Sequence, residues 1–165
     1  MSVLPILKWP DPRLAETCAP VEVVTPEIEQ LAADMLETMY AAPGRGLAGP
    51  QVGAMLRLFV MDTGWKDGRP DPLVCINPML QEVSEDRAVH TEGCLSIPGV
   101  SAEISRPARV QMVWTGLDGA RYVQSFEGFG AVCVQHEMDH LDGVVTFDHL
   151  SESDRAALVA AYRAQ

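Results

Sequence analysis

Residues 131–141, AVCVQHEMDHL, set the pattern His-Glu-x-x-His in a run rich in apolar residues. No other stretch restricts the fold as much. Residues four apart on a helix lie one above the other, so His136 and His140 share a face. Glu137 sits about 100° round from His136. Val132, Cys133, Met138 and Leu141 surround them, which predicts a largely buried helix. Buried imidazoles and carboxylates need partners, because an unpaired polar group in an apolar interior costs about 2 kcal/mol or more. Two imidazoles and a carboxylate on one rigid turn suit a metal site: two ligands, and a base within reach of a water held there. The fold must wrap other elements around this helix and bring a third ligand to it.

Downstream supply of that ligand is poor. The metzincin extension would need a histidine where Thr146 stands, and His149 lies three residues too late. Glu152 and Asp154 look like the exposed first turn of a terminal helix. Upstream, EGCLSIPG at 92–99 places Cys94 in a glycine-flanked turn, where backbone approaches a ligand closely. A thiolate with two imidazoles is a soft set suited to Fe(II) or Zn(II). Cys94 is therefore the favoured third ligand. A further glycine-rich turn, GRGLAGPQVG at 44–53, lacks the Gly-Lys-Ser/Thr ending of a phosphate loop but carries Gln51, whose amide can donate to an oxyanion.

Residues 25–41 predict a helix, with Thr25 as cap, Pro26 in the first turn, and Ile28, Leu31, Ala32, Met35, Leu36 and Met39 on one face. Pro43 and Gly44 stop it. Strands are predicted at 56–61, 73–76, 79–83, 110–117 and 122–126, with Asn77-Pro78 as punctuation and Asp118-Gly119 as a hairpin turn. The motif helix runs from about 130 to 141, a short strand is expected at 144–147, and a terminal helix at 151–164. Strands fill the middle and helices the ends, which predicts an α+β fold in one domain spanning 1–165.

The charge balance is acidic, net −11, and the basic residues are scattered, which disfavours nucleic-acid binding. No apolar run approaches the roughly 18 residues of a spanning helix, and the N-terminus does not resemble a secretory signal. Four cysteines without a C-x-x-C pair predict free thiols in a reducing, cytoplasmic setting.

Taken together and in order, GRGLAGPQ at 44–51, EGCLS at 92–96 and QHEMDH at 135–140 resemble the peptide deformylases. The similarity extends to WPDPRL at 9–14. It implies an α+β fold with small antiparallel sheets packed around a central metal-binding helix. It implies hydrolysis of the formyl group from N-formylmethionyl peptides or nascent chains, with release of formate. Cys94, His136 and His140 would bind the metal, Fe(II) by preference, with Zn(II), Ni(II) or Co(II) as substitutes. Glu137 would be the general base and then the acid. Gln51 and the backbone N–H of Leu95 would hold the oxyanion. Gly44, Arg45, Gly46, Leu47, His90, Glu92, Gly93, Phe129, Val132 and Cys133 would contact substrate, the last three forming a methionine pocket.

Several positions depart from the family's usual text. Gly49 replaces an alanine, which should loosen the turn carrying Gln51 by up to about 1 kcal/mol. Arg45 stands where small or apolar residues are common, and His90 where an apolar pocket residue is common. The C-terminal segment is near neutral, which argues against the ribosome docking that a basic terminal helix provides in many bacterial members. The alternatives at this point are a related hydrolase with shifted acyl or peptide specificity, and a metal-binding relative without catalysis.

Overall fold

In the computed structural model, which describes residues 2–165, helix α1 (Pro26–Ala41) starts where the cap predicts. Thr25 Oγ1 accepts a hydrogen bond from the Ile28 N–H at 3.3 Å. The buried stripe of α1 packs Ile28, Met35 and Met39 against Leu47, Leu58, Val60 and Ile76. The strands follow in chain order: β1 (Gly46–Ala48), β2 (Leu58–Met61), β3 (Leu73–Val83), β4 (Arg87–Cys94), β5 (Ile97–Pro107), β6 (Arg109–Thr115) and β7 (Arg121–Glu127). Helices α2 (Gly128–Leu141) and α3 (Glu152–Arg163) complete the α+β arrangement.

The strands form two antiparallel sheets, a five-stranded one in the order β1-β2-β3-β6-β7 and the separate β4–β5 hairpin. The predicted break at Asn77 is a bulge within one continuous β3. Asn77 takes φ +49°, and the register shifts between Ile76 and Met79. Its side chain accepts from the Val21 N–H at 2.8 Å and donates to the Val21 carbonyl at 2.7 Å. Asparagine tolerates this left-handed backbone better than most residues, and the two bonds hold it there.

Helix α2 has few faces left for water. Ala131, Cys133, Val134 and Leu141 pack with Phe59, Met61, Met112 and Trp114 of the large sheet. The β4–β5 hairpin closes over another side of α2. Helix α3 backs the hairpin, with Leu158, Val159 and Tyr162 gathered around Trp9, Ile97 and Phe147. Tyr162 Oη donates to the Trp9 carbonyl at 2.9 Å. Ser151 caps α3 as expected, accepting from the Asp154 N–H at 3.2 Å.

Two expectations need correction. Residues 144–147 form no strand; a 3₁₀ turn covers Thr146–His149 instead. Asp148 Oδ2 takes the Val145 N–H at 2.9 Å, and Phe147 is fully buried, so this segment is pinned locally rather than paired with a strand. The turn around Cys94 is the tip of a long hairpin, β4–β5, which the sequence pattern did not predict. Among the described residues, no helix is long and apolar enough to cross a membrane.

Candidate metal centre

Three elements meet at one end of α2. The helix supplies His136, Glu137 and His140, the last residue of β4 supplies Cys94, and the 3₁₀ turn Gly49–Val52 after β1 supplies Gln51. His136 Nε2 and His140 Nε2 lie 3.3 Å apart, and Cys94 Sγ lies 3.4 Å from His140 Nε2. The ligand atoms of these three residues all fall within 4.8 Å of one another. Three lone-pair donors crowded together repel unless a proton or a cation lies among them. The trio therefore fits a divalent transition-metal ion by the chemistry of its donors.

The His136 ring is aimed from behind, whereas His140 Nδ1 has no hydrogen-bond partner in the protein. His136 Nδ1 meets Glu92 Oε1 at 3.0 Å, which leaves Nε2 to face the site. Glu92 is itself gripped by Arg106, Nε to Oε2 at 2.6 Å and Nη2 to Oε1 at 2.9 Å. Arg106 Nη1 continues to Asp139 Oδ2 at 2.9 Å, and His149 Nε2 closes the chain on that same oxygen at 2.7 Å. A bidentate arginine–carboxylate pair fixes position strongly because both groups are planar. Burial works against ionising Glu92, but the hydrogen bonds from His136 and Arg106 prevail and hold its pKa at about 2.

The electrostatics of the trio follow from packing. Burial pushes the Cys94 thiol up, but His140 and His136 outweigh it and hold it well below its ordinary range. Burial opposes charge on His136 too, yet Glu137, Cys94 and Glu92 raise its pKa well above the usual imidazole value. A thiolate beside positive charge is what a cation bound here would also favour. Burial raises the Glu137 carboxyl, with His136 and His140 only partly offsetting it. Glu137 is 4% exposed, and its Oε1 has no hydrogen-bond partner in the protein. A buried carboxyl with raised pKa and a free oxygen is arranged to take and return a proton.

Gln51 is fixed at both ends of its amide. Oε1 accepts from the Ala48 N–H at 2.9 Å, and Nε2 donates to Ser96 Oγ at 3.0 Å. Nε2 also stands 3.7 Å from Cys94 Sγ. Gly49 departs from the sequence expectation. A Cβ there would come within 2.6 Å of the Ala54 carbonyl oxygen and 2.9 Å of that of Leu56. In this backbone the glycine lets the turn close tightly, so it compacts the support of Gln51 rather than loosening it.

A cleft of about 400 Å³ opens in front of these groups. Gly44, Arg45, Gly46, Gly93, Leu95, Phe129, Val132 and Cys133 all line it, as the sequence predicts. Gly46 is needed sterically: a Cβ there would lie 2.5 Å from Glu137 Oε2 and 2.9 Å from Cys133 Sγ. Three expected contacts change. The Leu47 side chain points into the core beside α1, leaving only its backbone for a ligand. His90 does not line the cleft; it shares the inner face of β4 with Ala88 and Glu92 but lies farther from Cys94 along the strand, paired across to Ile104. Glu92 borders the cleft but commits its carboxylate to Arg106 and His136. Sequence reasoning missed Arg106, Asp139, His149 and Ser96. One signal existed: Arg106 continues the alternation Ala102, Ile104, Arg106, so it falls on the buried face of β5.

A model of the polypeptide deformylase family matches residues 3–156 of the chain. The peptide deformylase of Acinetobacter baumannii strain SDF is 48% identical over 155 residues, covering 94% of this chain and 87% of that protein. The peptide deformylase of Nitrobacter hamburgensis is 45% identical over 166 residues, covering 98% and 95%. The crystal structure of peptide deformylase from Ehrlichia chaffeensis in complex with actinonin superposes with a TM-score of 0.92 at 37% identity, covering 99% of this chain and 97% of that one.

Proposed function

The chain belongs to the polypeptide deformylase family, and from that premise we propose how its site hydrolyses the formyl group of N-formyl peptides. The observation that carries the assignment of roles is the buried, unpartnered Oε1 of Glu137 beside the Cys94–His136–His140 trio.

Cys94 Sγ, His136 Nε2 and His140 Nε2 would hold the ion. When bound, it supplies Lewis acidity, polarising the formyl oxygen and making water easier to deprotonate. Glu137 takes the proton from the attacking water, a role favoured by its raised pKa. As the formyl carbon becomes tetrahedral, negative charge grows on its oxygen. Gln51 Nε2 and the Leu95 N–H donate to that oxygen. Because Gln51 is already clamped between Ala48 and Ser96, its amide needs little reorganisation. Glu137 then gives its proton to the peptide nitrogen as the C–N bond breaks, leaving formate and a free amino terminus. Val132, Cys133 and Phe129 supply the apolar wall for a methionine side chain, so formylmethionyl peptides or nascent chains are the substrates. We take the native ion to be Fe(II), on the strength of the soft thiolate–imidazole set, with Zn(II), Ni(II) or Co(II) able to replace it. Four free cysteines, one of them a ligand, support a reducing cytoplasmic setting.

The test joins anaerobic metal analysis to formate release from formyl-Met-Ala-Ser. Glu137→Gln should lose about 10²–10⁴ in kcat/KM while retaining its ion. Wild-type turnover by that variant would refute the role given to Glu137.

A further inference from the structure

The lining of the cleft carries unpaired cationic side chains, although the chain as a whole carries −11. Arg45 and Lys66 both line it. Among the described residues neither forms an ion pair. Arg45 is held in place: its guanidinium lies 5.1 Å from the centroid of the Phe129 ring, and its Nε is buried with no hydrogen-bond partner. Cation–π stacking orients the planar group without neutralising it. Lys66 Nζ lies 5.7 Å from the Trp65 ring centroid, and Trp65 Nε1 donates to the Gly44 carbonyl at 2.9 Å. The acidic groups lining the cleft, Glu137 and Glu92, are both buried, and Glu92 is paired with Arg106 and His136.

The order of these groups gives a direction. Gly46 touches Glu137, Arg45 comes next, and Gly44 joins the segment bearing Lys66. β1 is the edge strand of its sheet, and its Gly46 lines the cleft together with the preceding Gly44 and Arg45. An extended peptide laid along that edge with its formyl group at Glu137 advances about 3.3 Å per residue, so its second and third residues pass Arg45 and Lys66.

We propose that Arg45 and Lys66 form a carboxylate subsite that selects formyl peptides with negative charge at the second or third residue. The charge comes either from an acidic side chain or from the terminal carboxylate of a short peptide. This rests on the deformylase reading and adds a specificity to it.

The test compares formyl-Met-Ala-Ser-amide with three relatives: formyl-Met-Ala-Asp-amide, formyl-Met-Ala-Lys-amide, and formyl-Met-Ala-Ser with a free carboxylate. Negative charge should raise kcat/KM by about three- to tenfold over the neutral amide, mainly through KM, and lysine should lower it. The ratio should shrink as salt rises to about 0.5 M, where charges are screened within a few ångströms. Lys66→Met should reduce the ratio, Arg45→Met should reduce it further, and Arg45→Glu should invert it. A gain confined to the aspartate peptide assigns the charge to a side chain, and one confined to the free carboxylate assigns it to a chain end; either supports the subsite. Equal kcat/KM for all four peptides overturns it. Calorimetric binding of the same peptides to the Glu137→Gln protein reads the preference without turnover. Absence of formate from every peptide would sink the deformylase reading, while the subsite would still be judged on the binding ratio.

Discussion

Arg106→Met gives the most demanding test of the network behind the trio. The arginine side chain is 6% exposed and donates three hydrogen bonds, at 2.6, 2.9 and 2.9 Å, to Glu92 and Asp139. Methionine keeps much of the stem and removes every donor. Glu92, whose side chain is 3% exposed, is left charged with His136 as its one remaining partner. Breaking a buried pair on one side costs about 3–5 kcal/mol, out of a total stability of about 5–15 kcal/mol. At about 2–4 °C per kcal/mol for a chain of this size, Tm should fall by about 6–20 °C. The same change frees the Glu92 carboxylate to drift and loosens His136, which should weaken metal binding by about 10–100-fold. Thermal unfolding and competition against a chelator of known affinity measure the two effects. Adding Glu92→Gln removes the stranded charge, so the double variant should be more stable than Arg106→Met alone. If Arg106→Met melts with the wild type, or if the second change makes matters additively worse, Arg106 does not neutralise Glu92 in the way its geometry implies.

Two glycines should separate activity from stability. Gly46→Ala drives a methyl against the Glu137 carboxylate and should lower formate release by about 10²-fold through misplacement of that group, with little change in Tm. Gly49→Ala meets two backbone carbonyls instead, and should cost about 1–3 kcal/mol of stability, read as a lowered Tm. A Gly49→Ala protein as stable as wild type would show that the turn has slack. Acid should also find the network. Glu92 has a folded pKa of about 2 against an ordinary 4.5, so its contribution is present above about 4.5 and is lost as pH falls toward 2. Tm followed from pH 6 down to about 2 should drop across that window, and less steeply in Arg106→Met. A wild-type Tm flat to about pH 2 contradicts the shift.

Much of the site was legible because each piece breaks a local rule. Histidines in an apolar helix, a cysteine flanked by glycine and a glutamine after a glycine-rich turn each demand an explanation, and the explanations converge. Helix α1 was legible for the opposite reason: cap, first-turn proline and apolar stripe all agree. The β4–β5 hairpin was not legible. Its inner face carries His90, Glu92 and Arg106, which erase the apolar alternation that marks a strand. Those polar residues stand there because the site needs a charged brace, so the feature that hid the hairpin also supports the chemistry. Leu47 was misplaced because a one-residue step along a strand reverses the face; His90 was misplaced because it shares the face of Glu92 but lies beyond the end of the cleft. Gly49 was misread because its crowding comes from Ala54 and Leu56 folding back, a tertiary contact with no local sign.

Chain order also has a meaning in time. Gln51 is paired with a residue 45 positions later, and Cys94 meets one 46 positions later. A growing chain is made from its amino terminus, so the first glycine strand exists before the hairpin, and the hairpin before the helix. His136, Glu137 and His140 come last, together, at one end of helix α2. A polypeptide halted anywhere before residue 140 lacks at least one member of the Cys94–His136–His140 trio. The cluster around Cys94 is thus completed only once helix α2 has been made.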